Sequence, residues 1–209
     1  MTTGKRNKRQ GDTSKALKPG AISRLRANIL LGVTGGIAAY KAVDLASKLT
    51  AAGASVRTVM TESACRFVGP KSFETVTCSE VYTTLWSDSE EHRRTHVGFV
   101  EWADVVVVAP ATADIIGKAA NGICDDLLST TLCACWAKPV LLVPAMNSNM
   151  WTNPAVQRNV AAVTGMGFRL LGPVEGRLAN GALGMGRMSE PREILAAVEQ
   201  IVAAVKPRK

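Results

Sequence analysis

The sequence predicts a doubly wound α/β fold, a parallel sheet sandwiched between helices. Three observations carry that prediction. The stretches NILLGVT (28–34), ADVVVVAP (103–110) and PVLLVPAM (139–146) are apolar with little alternation, and strands of that kind need cover on both faces, which crossover helices provide. Segments of helical period lie between them at βαβ spacing. The apolar runs also end in small or polar residues, and in open α/β sheets ligands bind outside those carboxyl ends.

Element by element, residues 1–24 are polar and without periodicity and are expected to be a disordered basic arm. A folded domain follows over 25–209. Strand 28–34 runs into Gly35-Gly36, and IAAYKAVDLASKLTAAG (37–53) then carries apolar residues at helical spacing until Gly53 stops it. ASVRTVMT (54–61) is the second strand, residues 62–82 hold short helices, and WSDSEEHRRT (86–95) is a polar loop. After strand 103–110, a helical stretch over 113–136 is interrupted near Gly122. Strand 139–146, helix 153–164, strand 167–171 and helix 190–204 complete a Rossmann/flavodoxin-like topology. One segment breaks the pattern: GPVEGRLANGALGMGRM (172–188) holds five glycines, which leave it little intrinsic order. It reads as a lid over a ligand site or as a plain surface hairpin.

The chain has 209 residues, 47% hydrophobic and 20% charged, enough for one core without disulfide or metal staples. That composition excludes disordered, collagen-like and disulfide-scaffold classes. The net charge of +8 resides in the tails: residues 1–27 carry +7 and residues 206–209 carry +3, leaving −2 on the body. A solubilising arm is the plain reading, and a nucleic-acid role lacks interleaved aromatics. Five cysteines without Cys-x-x-Cys spacing and two histidines, His92 and His96, make a zinc site a poor fit. No run approaches ~18 apolar residues and no signal-peptide core is present, so a cytoplasm with reduced thiols is expected.

The strand ends define the candidate site: Thr34-Gly35-Gly36, Thr61-Glu62-Ser63, Thr112-Ala113-Asp114 after Pro110, and Ala145-Met146-Asn147 after Pro144. Gly35-Gly36 lets backbone N–H groups approach a phosphate where a helix dipole favours an anion. The loop is not Gly-x-Gly-x-x-Gly, and no acidic residue closes the second strand, so a mononucleotide such as FMN suits it better than NAD. Arg177 and Arg187 in the glycine-rich segment point weakly to an anionic ligand. His96 precedes a strand-like stretch ending at Trp102-Ala103-Asp104, and histidine is the residue type suited to proton transfer near neutral pH; His92 sits in a charged run and is expected to be solvated.

GVTGGIAAYK (32–41), the run from Thr95 to Thr130 containing HVGFVEWAD and APATAD, PAMNSNMW (144–151) and GMGRM (184–188) resemble the flavin-containing cysteine decarboxylases over about residues 27–205. Within that family the likeness is closest to the branch acting on phosphopantothenoylcysteine in coenzyme A biosynthesis. The resemblance implies FMN held by Gly35, Gly36, Ile37, Thr61, Ser63, Thr112, Ala113, Asp114, Ile115 and Ala145. It implies His96 as the active-site histidine, Asn147 gripping the substrate carboxylate, Met150 lining the pocket, and Arg177, Leu178 and Ala179 in a clamp. It further implies a carboxy-lyase and homotrimers or larger assemblies with FMN between subunits; many bacterial members are fused to the phosphopantothenoylcysteine synthetase that makes the substrate, and for this chain a separate synthetase is one alternative.

The family reaction oxidises a C-terminal cysteine to a thioaldehyde, whose thiocarbonyl accepts the electrons released with CO₂. The resulting ene-thiol is then reduced, with a clamp cysteine supplying a proton. Here the clamp reads Ala179-Asn180-Gly181-Ala182, and an amide is no proton donor at neutral pH, unlike a thiol of pKa ~8.5. Either another donor such as Cys65 or water completes the reduction, or Asn180 leaves the product as the ene-thiol, as in peptidyl-cysteine decarboxylases. Asn180 as a trapping substitution, and a noncatalytic FMN-binding regulatory subunit, are the remaining alternatives.

Overall fold

A computed structural model describes Met1 and residues 25–86, 95–179 and 181–205. The expectations for the basic arm, for His92 and for Asn180 lie outside the described residues.

The chain runs β1 (Asn28–Val33), α1 (Ala39–Ala51), β2 (Ser55–Met60), α2 (Glu62–Cys65), α3 (Pro70–Thr77) and β3 (Val81–Tyr82). It continues α4 (Thr95–Trp102), β4 (Val105–Ala111), α5 (Ala113–Asn121), α6 (Leu127–Ala134), β5 (Val140–Pro144) and α7 (Ser148–Trp151). Then come α8 (Pro154–Gly165), β6 (Arg169–Leu170), β7 (Val174–Arg177), β8 (Leu183–Arg187) and α9 (Pro191–Ala204). Six strands pair in parallel in the order β3-β2-β1-β4-β5-β6. That is the Rossmann order, not the flavodoxin one. The winding reverses between β1 and β4, registered from Ile29↔Val105 to Gly32↔Val108, and such a reversal opens a crevice at the strands' carboxyl ends.

The unalternating strands have the cause inferred from their composition. Ile29, Leu31, Val33, Val105 and Val107 pack on one face with Leu45 and Leu49 of α1 and Ile194 and Val198 of α9. Leu30, Val106 and Val108 pack on the other with Phe99, Ile115, Leu128 and Leu132 from α4, α5 and α6. Every residue of β4 and β5 is buried, each large apolar side chain contributing roughly 1.5–3 kcal/mol.

Local pattern and structure part at several places. Residues 95–102 form α4 where the sequence suggests a strand. Phe99 is buried there, its ring edge-on to Tyr82 with centroids 4.7 Å apart, so packing against Tyr82 and α6 overrides the local preference of its valines. The helix expected over 113–136 is two: Gly122 ends α5 in the left-handed region at φ 66°, and Asp126 caps α6 by accepting from the Ser129 N–H. An edge strand, β3, follows α3 within 62–82, and strand 167–171 shrinks to two residues. The glycine-rich segment is an antiparallel hairpin, β7–β8, in which Gly176 pairs with Gly184. No described helix is long and apolar enough to cross a membrane.

Candidate functional site

Thr34 sets the spacing of the crevice. Its Oγ1 donates to the Pro110 carbonyl at 2.7 Å and accepts from the Thr112 N–H at 3.1 Å, so the loop after β1 is tied to the loop after β4. Thr112 then caps α5, its Oγ1 accepting from the Ile115 N–H at 3.4 Å. Gly35 lies against Ser63: a Cβ at position 35 would sit 2.3 Å from the Ser63 Cβ. Only glycine lets the backbone pass so close. At the β5 end, the Met146 N–H donates to the Gly186 carbonyl at 3.0 Å. A Cβ on Gly186 would meet the Met146 carbonyl oxygen at 2.1 Å, so the base of the hairpin is seated directly on the β5–α7 loop.

These ends enclose a cleft of about 660 Å³. Gly35, Gly36, Ile37, Thr112, Ala113, Ala145, Asn147, Met150, Arg177, Leu178 and Ala179 all line it, as do Tyr40, Lys41, Met146, Arg187 and Met188. One cleft therefore gathers residues from four separate motifs. Asn147 N-caps α7, its Oδ1 accepting from the Asn149 N–H at 2.8 Å. Lys41 Nζ donates to Glu190 Oε1 at 2.8 Å, and Arg187 lies 3.6 Å from the same oxygen.

Five sequence-selected residues lie outside this lining. Thr61 turns its Oγ1 to the Ala64 N–H, capping α2. Ser63 supports Gly35 from beside the loop. Asp114 pairs with Lys118 at 3.3 Å. Ile115 is a buried core side chain whose N–H is already held by Thr112. His96 stands on the first turn of α4, half-buried. Cys65, named as an alternative proton donor, is also outside; burial first, and Glu62 second, push its thiol up, which opposes reactivity.

Tyr40, Lys41 and Met188 lie inside the recognised motifs, which assigned them no role. The signal for the first two is helical: side chains in the first turn of α1 lean back over its N-terminus, where Gly35-Gly36 lies. Among the described residues no group of three or more His, Cys, Asp or Glu side chains could hold a metal ion.

A crevice at the strand-order reversal, with a glycine loop opening a helix, defines a nucleotide-binding α/β protein. The chain belongs to the Flavoprotein family, which matches residues 22–203. It is 49% identical over 173 residues to the coenzyme A biosynthesis bifunctional protein CoaBC of Bacillus subtilis, covering 83% of this chain and 42% of that protein. The chain thus spans about two fifths of that relative. Among solved structures, a PPC decarboxylase mutant complexed with pantothenoylaminoethenethiol superposes with TM-score 0.76 at 32% identity, covering 86% of this chain and 100% of the other. The FMN-dependent cysteine decarboxylase SpaF gives TM-score 0.72 at 33% identity, covering 88% and 100%.

The residues present fit a flavin. Gly35 and Gly36 ahead of α1, and Thr112 ahead of α5, bring backbone close to where a phosphate would meet a helix N-terminus. Ile37, Met146, Met150, Leu178 and Met188 supply apolar walls for a ring system, and a cleft of this volume takes a ligand of that size.

Proposed function

We propose that the chain is an FMN-dependent carboxy-lyase converting 4′-phosphopantothenoylcysteine to 4′-phosphopantetheine in coenzyme A biosynthesis. The observation that carries the reading is the convergence of the Gly35-Gly36 loop, the Thr112 helix start, the Pro144–Met150 motif and the β7–β8 hairpin on one cleft. These are the segments in which the chain resembles cysteine decarboxylases, and a relative named for coenzyme A biosynthesis is 49% identical to it.

In this reading Gly35, Gly36, Ile37, Thr112, Ala113 and Ala145 hold FMN, which when bound supplies the two-electron acceptor that a cysteine lacks. Thr61, Ser63, Asp114 and Ile115 act one layer back, by shaping the loops that touch it. Asn147 binds the substrate carboxylate through its amide. Met150 and Leu178 keep the reacting carbon dry, and the hairpin residues Arg177 and Ala179 cover the substrate. Lys41, Arg177 and Arg187 give the cleft the positive charge a phosphorylated substrate needs.

His96 handles the proton, and it reaches the site from a neighbouring copy. It lies outside the cleft of its own chain, while Val97, Ile123 and Trp136 present large apolar surface, with Trp136 76% exposed. Such exposure supports a homotrimer with the cofactor between subunits. A phosphopantothenoylcysteine synthetase activity supplies the substrate.

A second reading rests on Asn180. Among the described residues the cleft lining holds no thiol, so in this reading decarboxylation of a cysteine, peptidyl or pantothenoyl, stops at the ene-thiol. Mass spectrometry of products from 4′-phosphopantothenoylcysteine decides both questions. Phosphopantetheine as sole product supports the first reading, and its oxidised ene-thiol, two hydrogens lighter, supports the second. In the latter case Asn180→Cys shifts the product toward phosphopantetheine. A protein that carries no FMN and releases no CO₂ overturns both.

A further inference from the structure

Three charged side chains meet at the mouth of the cleft from three different elements. Lys41 comes from α1, Arg187 from the end of β8, and Glu190 is the N-cap residue just before α9. Glu190 Oε1 lies 2.8 Å from Lys41 Nζ and 3.6 Å from an Arg187 guanidinium nitrogen. Lys41 is the most enclosed, its side chain 15% exposed against 42% for Arg187 and 45% for Glu190. Lys41 and Arg187 line the cleft and Glu190 does not. The carboxylate therefore touches the two cations from outside the ligand's space.

The lining carries Lys41, Arg177 and Arg187 and no acidic side chain. Glu190 brings that local charge from +3 to +2. A neutral end group gains nothing from a charge that Glu190 already satisfies. A phosphomonoester dianion carries enough charge to recruit Lys41 and Arg187 despite the carboxylate behind them. The ammonium has three donors, of which Glu190 takes one.

We propose that Glu190 is a built-in counter-ion to Lys41 and Arg187 that tempers the cleft's affinity for a phosphomonoester end and leaves its affinity for a neutral end unchanged. Glu190 is then a positioning residue, acting through Lys41 and Arg187 without touching the ligand. The substrate arm rests on the decarboxylase reading above. FMN carries the same phosphomonoester, so the two sources are separated by experiment.

Titration calorimetry on the full-length flavin-loaded protein reads affinities for 4′-phosphopantetheine and pantetheine, which differ only by the phosphate. Glu190→Gln keeps the side chain's length and removes its charge. It is expected to tighten 4′-phosphopantetheine about two- to fivefold, the range a partly exposed ion pair supports, and to leave pantetheine unchanged. Glu190→Asp restores the wild-type ratio, which loss of a merely structural contact would not. Lys41→Met weakens the phosphorylated ligand alone. In parallel, retention of FMN and riboflavin is compared by gel filtration, and a change confined to their ratio assigns the phosphate to the cofactor. Equal effects on both members of each pair, or none in a folded Glu190→Gln protein, overturn the proposal. CO₂ release by the wild type tests the decarboxylase reading separately, because the calorimetric comparison needs no turnover.

Discussion

Gly35 and Gly36 are adjacent in sequence and different in consequence. Alanine at 35 drives its Cβ to 2.3 Å from Ser63, whereas at 36 the nearest atom is Thr112 Cγ2 at 3.8 Å. Gly35→Ala must therefore push the β1–α1 loop off the β2–α2 loop. The expected result is a colourless protein destabilised by roughly 1–3 kcal/mol, the usual cost of overpacking; Gly36→Ala keeps its flavin. The flavin-to-protein absorbance ratio and a urea melt check both. Thr34 presents a different risk. Thr34→Val leaves the buried Pro110 carbonyl and the Thr112 N–H without their partner, for an expected loss of about 1–3 kcal/mol in the same melt. The glycines were legible because a pair at a strand end has few other uses. The role of Thr34 was not, since a hydroxyl after a strand gives no hint that it bridges residues 76 and 78 positions away.

At the level of elements, the joint between α5 and α6 is held by charge. Lys118 lies within 3.3 Å of Asp114 and 3.0 Å of both Asp125 and Asp126. Burial alone would lower its pKa, but bonds from Asp125, Asp126 and Asp114 outweigh burial and raise it. The Lys118 hydrogen bond in turn holds the Asp125 carboxyl below its ordinary 3.8. A carboxyl depressed on folding stabilises the fold above its unfolded value and loses that contribution as pH falls through the folded one. Lys118→Met also leaves three carboxylates facing one another, a repulsion that protonation relieves. The melting-temperature gap between wild type and Lys118→Met is thus expected to be widest near neutrality and to narrow below about pH 3.8. Sequence patterns located this joint through Gly122 and the strands through their unbroken apolar runs. They missed α4, whose helicity depends on burying Phe99, and left the 172–188 segment undecided between lid and hairpin, because its pairing is seated on Met146, which lies far away in the chain.

For the whole molecule, the proposed trimer has a direct functional test. If His96 of one copy serves the cleft of another, His96→Asn and Asn147→Asp are each inactive alone. Co-expressed, they regain about a quarter of wild-type activity, because random assembly pairs intact residues across one interface in four. Measured CO₂ release from the mixture checks this, and no recovery would place both residues within one chain. Sedimentation of the same mixture gives the assembly size.

The amino-acid order alone determined the layered architecture, since period and composition are local properties that decide what each segment must bury. It also marked the strand-end motifs that meet in the cleft. Folding in three dimensions decided the rest: which strand lies beside which, hence the reversal between β1 and β4. It also brought Lys41 and Arg187 to the rim, turned Asp114 and Ile115 away, and left His96 outside. The physical reason is that a side chain's direction and charge partners are set by neighbours distant in sequence, and no local pattern encodes them.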